Sequence, residues 1–313
     1  MATGFDLSGL SGYTDEISFG LISEAVLGST IMQNAQVRPG LTAGTTAINI
    51  LKSDLQPAAS ACSWSAVGES IFEQVDLTIV DLQVKETYCP ETLRGYWLSS
   101  QLSPAGQLEE IPFADSIAQL KVKQIKQYVE TAVFSGEGAL NGLISDVTSA
   151  NGAVIQPNWG PSNAAPAAFT AANAIYQVNA IVSVIPSAVL DRPDLIIYMS
   201  YANFRTYCQA LVTANYFMSY NPAQNNTGLA VQSQMVVVPG TNVVVKPFVG
   251  LGTSNRIICG SASELIIGVG LMDDFDKLDV FYDKYNDQVK VMAKFRIGAA
   301  VAFIENWVTN DLA

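Results

Sequence analysis

The sequence predicts an α+β fold, and three observations carry that reading. Residues 287–303, DQVKVMAKFRIGAAVAF, place Val289, Val291, Ala293, Phe295, Ile297, Ala299, Val301 and Phe303 on every second position, with Lys290, Lys294 and Arg296 on the other face. That alternation is the signature of one long strand. Residues 115–134, DSIAQLKVKQIKQYVETAVF, instead set Ala118, Val122, Ile125, Val129 and Ala132 at alternating steps of four and three, with Ile117, Tyr128 and Val133 beside them, which is an amphipathic helix. The other strand-like runs come in turn-separated pairs, and without strict βα alternation a doubly wound sheet is disfavoured.

Composition bounds the rest. The chain has 313 residues and is 49% hydrophobic, enough for one large domain or two smaller ones with substantial cores. No uninterrupted apolar run reaches the length of about 18 residues expected of a membrane-spanning helix, so the expectation is a soluble protein. The first basic residue is Arg38, after Asp6, Asp15, Glu16 and Glu24, so the start lacks the positive region of a signal peptide and an intracellular protein is expected. Cys62, Cys89, Cys208 and Cys259 form no C-x-x-C pair, which favours buried reduced thiols over a disulfide framework or a zinc site. The absence of histidine excludes Ser-His-Asp and Cys-His catalysis and removes the commonest metal ligand. A net charge of −12 argues against a tight grip on nucleic acid, which rests on neutralising phosphates.

Taken in order, residues 1–36 are Gly- and Ser-rich, with one short helix candidate in ISFGLISEAVLGSTIMQ, and read as an arm that rests on another surface. Arg38-Pro39-Gly40 then breaks the chain. From Thr45 to Glu86 a long hairpin is expected: TTAINILKSD out, a small-residue tip around QPAASACSWSAVGES, and SIFEQVDLTIVDLQVKE returning. In the return strand Ile71, Val75, Leu77 and Ile79 keep one phase, whereas Val80, Leu82 and Val84 take the opposite one, so a bulge or a twist is expected near Ile79. Because an isolated two-stranded ribbon is marginal in water, part of this hairpin should lie on a neighbour. Pro90 opens a helix candidate, PETLRGYWLSSQL. The long amphipathic helix follows, capped by Asp115 or Ser116 and ended by Gly136; at about 20 residues it spans roughly 30 Å.

After loop-like residues 141–168, AAFTAANAIYQVNAIVSVI is a second helix candidate. DLIIYMSYANFRTYCQAL reads as a buried strand, a turn at Ser200 and a helix, and NYFMSYNPAQNNTG as an exposed loop. MVVVPGTNVVVKPFVG and RIICGSASELIIGVG are strand-rich segments broken by turns.

The motifs that carry chemistry are weak. GEGALNG at 136–142 does not match G-x-G-x-x-G, and no phosphate-binding G-x-x-x-x-G-K-[ST] occurs. GSAS at 260–263 lacks the second glycine of a nucleophile elbow and reads as a turn. Asp273, Asp274, Asp276 and Asp279 in DDFDKLD have the oxygen chemistry for calcium but not the EF-hand spacing, so a solvated acidic turn is preferred and no metal or cofactor is expected. Lys121, Lys123 and Lys126 read as a solvated basic face. Trp64 near the hairpin tip, with Phe72 on the return strand, either anchors a neighbouring subunit or folds back on its own hairpin. Lys52 on the outgoing strand and Arg38 at the root complete the candidate interface residues, and Lys52 is a possible start for a covalent cross-link.

The order of arm, long hairpin, long helix, mixed region and C-terminal strand resembles the HK97-type major capsid protein of tailed double-stranded DNA bacteriophages over nearly the whole chain. VETAVFSGEGALNGLI is similar to that family's passage from spine helix into a glycine turn, DLIIYMSYANFRTYCQAL to the strand and helix of its axial domain, and RIICGSASELIIGVGL with QVKVMAKFRIGAAVAF to the return into its peripheral domain. The resemblance implies an N-terminal arm at 1–37, an E-loop at 38–86, a peripheral domain at 87–189 with its spine helix at about 113–135, an axial domain at 190–270, and C-terminal peripheral strands at 271–313. The long C-terminal strand is then expected beside the spine helix. It further implies a non-enzymatic subunit that assembles through pentamers and hexamers into an icosahedral shell around the phage DNA. The expected partners are a portal, optional decoration proteins and, since the chain has no room for the family's scaffolding extension, a separate scaffolding protein or none. Assembly in the host cytoplasm and residence in the virion follow from the same resemblance. The rivals are an encapsulin-type compartment shell, a carboxylate-dependent hydrolase built on DDFDKLD, and a tail or decoration protein forming a ring or tube.

Overall fold

A computed structural model describes residues 29–53, 68–88, 113–155, 168–214, 235–270, 278–283, 285–286 and 288–310. The strands form two six-stranded sheets. The first contains β1 (Gln36–Arg38), β2 (Gly44–Ser53), β3 (Ser70–Tyr88), β9 (Leu265–Val269), β10 (Leu278–Asp283) and β11 (Gln288–Val301), in the order β1-β9-β11-β3-β2 with β10 also on β11. The second contains β4 (Val154–Ile155), β5 (Leu195–Ser200), β6 (Val236–Val237), β7 (Val244–Phe248), β8 (Ile258–Ser261) and β12 (Val308–Thr309), in the order β4-β12-β8-β5-β7-β6. The expected strand pair in RIICGSASELIIGVG is therefore divided: β8 enters one sheet and β9 the other, separated only by the 3-10 turn Ala262–Glu264.

The helices are α1 (Phe113–Ser135), α2 (Leu143–Asp146), α3 (Ala174–Ser183) and α4 (Tyr201–Thr213). Helix α1 has the expected length, but it begins at Phe113, so Asp115 and Ser116 lie inside its first turn and not at the position before it. Its end is as expected: Gly136 takes φ 79°, a left-handed geometry open to glycine, and its N–H bonds Ala132 O at 2.8 Å. Ile125, Val129, Ala132 and Val133 are buried, whereas Tyr128 sits at the rim with its ring edge-on to Phe295 of β11, centroids 6.2 Å apart. The long strand thus runs beside the long helix. Lys121 departs from the solvated basic face: it is 4% exposed and paired with Glu86 of β3.

Along β11 the odd positions from Val291 to Val301 are buried in one large core shared with α1. On the opposite face Arg296 pairs with Asp81 at 2.5 Å and Lys290 with Asp283 at 2.5 Å. The phase change in β3 has a specific cause. From Ser70 to Ile79 the strand pairs with β2, and from Val80 to Tyr88 with β11, each in unbroken register. No residue is inserted, so the expected bulge is absent and the twist remains. Val80, Leu82 and Val84 face the α1 core, while Leu77 and Ile79 face a separate cluster with Ile48, Ile50, Ile266, Ala300 and Ala302 on the sheet's other side. Two glycines let the backbone cross there: a Cβ on Gly298 would lie 2.5 Å from Thr78 O, and one on Gly268 2.9 Å from Leu77 Cδ2.

In the second sheet β5 is buried on both faces, as a near-continuous apolar run requires. Ile196 and Tyr198 join the α1 core, and Leu195, Ile197 and Met199 join a second core under α3 and α4. Ser200 makes the expected turn, its Oγ accepting the Asn203 N–H as the N-cap of α4. Trp307 is fully buried and stacked on Tyr198, centroids 5.8 Å apart, over Gly260. Cys208 and Cys259 are buried free thiols, and burial pushes both up, to about 11 and about 12, so they stay protonated and inert. Cys62, Cys89, the candidate helix at 90–102 and the loop at 215–228 lie outside the described residues. No described helix is long and apolar enough to cross a membrane.

Candidate assembly surface on the hairpin

The β2–β3 hairpin presents two unlike faces. Because side chains alternate along each strand, Ile48 and Ile50 share one face with Val75, Leu77 and Ile79, and this face packs on Ile266 of β9 and on Ala300 and Ala302 near the end of β11. The opposite face is exposed. Near the body it is polar, with Gln74 Nε2 donating to Asn49 Oδ1 at 2.9 Å across the strands. Towards the tip it becomes apolar: Leu51 and Phe72 are direct cross-strand partners, 53% and 78% exposed. Ile71, opposite Lys52, is also exposed. β-Branched residues fill the strands that carry this pair, and the ribbon holds it on a surface with its own backing.

Lys52 ends the covered face. Its Nζ lies 2.7 Å from Glu73 Oε2 within the hairpin and 2.9 Å from Glu305 Oε1 in the 3-10 turn Ile304–Asn306. The hydrogen bonds that Lys52 donates to Glu73 and Glu305 raise the ammonium above its ordinary pKa, and although burial opposes it, the bond from Lys52 holds the Glu305 carboxyl below its own. The sequence signalled Lys52 and Phe72 but not Leu51 as Phe72's partner, nor Glu305, which is 253 positions away from Lys52 in the numbering. Arg38 lies exposed on β1, opposite Gly268 in the parallel β1–β9 ladder and in another part of the sheet. Trp64 and most of the tip lie outside the described residues.

The other sequence-level sites resolve differently. Ser261 ends β8 and its hydroxyl donates to Asp194 Oδ2 at 2.5 Å, which also accepts from Ser263 N at 3.1 Å. These bonds outweigh burial and lower the Asp194 pKa, so the carboxylate is a fixed acceptor closing a turn and not a base. In GEGALNG, Glu137 and Leu140 form an isolated β-bridge, and the glycines serve packing: a Cβ on Gly142 would lie 2.2 Å from Gly136 N. Asp273, Asp274 and Asp276 lie outside the described residues, and among the described residues no group of carboxylates and thiols is arranged to hold a metal. Sequence reasoning passed over Glu130, a buried carboxylate of α1 that accepts N–H bonds from Val249 at 2.7 Å and Gly250 at 3.4 Å. Burial raises its pKa despite those bonds.

No family model and no curated protein matches the chain. Solved structures do. A chain of the satellite phage P4 procapsid including size determination (Sid) protein is similar with a TM-score of 0.58 at 12% identity, covering 93% of this chain and 89% of that one. Gordonia phage Cozz gives 0.54 at 14% identity, covering 90% and 85%. A virus-like particle from Pyrococcus furiosus gives 0.53 at 12% identity, covering 95% and 98%. At these identities the likeness shows the fold. It is the fold of these phage and virus-like-particle structures, as the order of parts led us to expect.

Proposed function

We propose that this chain is the major capsid protein of a tailed phage, assembling through pentamers and hexamers into an icosahedral shell around double-stranded DNA. The observation that carries the proposal is the hairpin: one face is buried on its own subunit, and the other ends in the exposed apolar pair Leu51–Phe72. An exposed aromatic beside an aliphatic partner on a rigid ribbon suits docking onto another subunit. Repetition of such a contact around symmetry axes closes a particle. In this reading residues 1–37 are the arm, 38–86 the E-loop, α1 the spine helix in a peripheral domain, and 190–270 the axial domain. The subunit is structural and carries out no catalysis. A net charge of −12 repels DNA phosphates, so the genome is enclosed without being gripped. A portal, a separate scaffolding protein or none, and optional decoration proteins are the partners this reading proposes.

The likeness to the Pyrococcus furiosus virus-like particle supports a second reading, a cellular compartment shell of the same fold. Negative-stain microscopy with light scattering, at low and high salt, tests the class. Closed shells of uniform diameter support it, and monomers with a hydrolytic activity overturn it. Shell contents separate the two readings, with scaffold or tail components indicating a phage and enclosed enzymes a compartment.

A further inference from the structure

The hairpin's covered face ends at Lys52, one residue before the last ladder pair, Ser53–Ser70, and the contact beyond the ribbon at that point is ionic. Glu73 belongs to the hairpin, so its bridge to Lys52 travels with the ribbon. Glu305 belongs to the body, so its bridge ties the ribbon down. The seat beneath Glu305 is itself fixed from the other side. Asn306 Nδ2 donates to Glu264 Oε1 at 2.9 Å, and Arg192 Nη1 donates to the same oxygen at 2.7 Å. Glu264 is 3% exposed, its backbone O accepts the Ala302 N–H at 2.9 Å, and Asn242 Nδ2 holds Arg192 O at 2.7 Å. A polar chain thus runs from the hairpin through the 304–306 turn to the loop before β5 in the second sheet.

We propose that the 304–306 turn is the seat of a latch, closed by Lys52 and Glu305, that holds the hairpin against its own subunit and so fixes Leu51 and Phe72 facing outward. The apolar cluster of Ile48 and Ile50 takes in Ala300 and Ala302, with Phe303 packed against it. Next to that cluster, nearer the tip, this ion pair adds a polar restraint on the ribbon's outer part. An exposed pair of this kind is weak, which suits a restraint that sets the hairpin's orientation without contributing much to global stability. The consequence for docking rests on the capsid reading above, but the latch is read without it.

The test is amide hydrogen exchange on the full chain before assembly, following residues 48–52 and 71–75. Lys52→Met and Glu305→Gln should each speed exchange there about fivefold, while Glu73→Gln stays within about twofold of the parent chain. Equal effects of E73Q and E305Q, or no change in E305Q, overturn the latch. If the parent chain forms no shells the docking reading fails, and the exchange comparison still decides the latch.

Discussion

Replacing Leu51 and Phe72 by serine tests the assembly surface most directly. Full burial of a side chain of this kind stabilises by about 1.5–3 kcal/mol, so covering the exposed half of Leu51 is worth about 1 kcal/mol and the exposed three-quarters of Phe72 about 2 kcal/mol. Together they amount to about 3 kcal/mol per docking contact before association costs, or roughly a hundredfold in its equilibrium constant. Because a closed shell repeats the contact, the double variant should fail to assemble where the parent chain does, and each single variant should raise the protein concentration at which shells appear. Light scattering against concentration measures this, with microscopy to confirm closure. Both residues are largely exposed in the subunit, so the double variant should lose no more than about 1–2 kcal/mol of unfolding free energy in urea and stay folded. Normal shells from the stable double variant at unchanged concentration would refute the surface.

Three further outcomes follow from the fold. Ile297 is fully buried where β11 pairs with Val80 on one side and Val269 on the other, so Ile297→Ala should destabilise the subunit by about 2–5 kcal/mol in urea unfolding. Gly260→Ala would place a Cβ 2.2 Å from the Trp307 ring, a rigid neighbour stacked on Tyr198, and should cost at least about 1–3 kcal/mol, with a change in tryptophan fluorescence as the ring is displaced. Burial raises Asp146 from 3.8 to about 6, so its stabilising contribution is full below pH 3.8 and is lost as pH rises through 6. Asp146→Asn should therefore gain stability over the parent chain at pH 8, by about 1 kcal/mol once solvent screening of this part-exposed group is allowed for, with the difference vanishing below pH 4. Urea midpoints across that range check the sign.

Period alone made the long elements legible. The 3.6-residue stripe of α1 and the two-residue alternation of β11 each repeat often enough to be unmistakable, and Ser200 stands between strand and helix with a side chain suited to an N-cap. The opposite phases of Ile71–Ile79 and Val80–Val84 were also plain, and they located the place where β3 passes from ribbon to body. Their cause was not plain, because it depends on Gly298 and Gly268 lying beneath the crossing. The two-residue strands β4 and β12 carry too few positions for any period.

The sequence by itself determined the kinds of element, the absence of histidine chemistry, the acidic charge and the long hairpin, since these depend on neighbouring residues or on composition. Tertiary structure decided that β8 and β9 part into different sheets, that Lys121 is buried against Glu86, and that Lys52 is gripped by Glu305 while Leu51 and Phe72 are left to face outward. Those outcomes depend on contacts between residues far apart in the chain. Many such pairings are chemically equivalent, and only the closed packing of the two sheets around α1 selects among them.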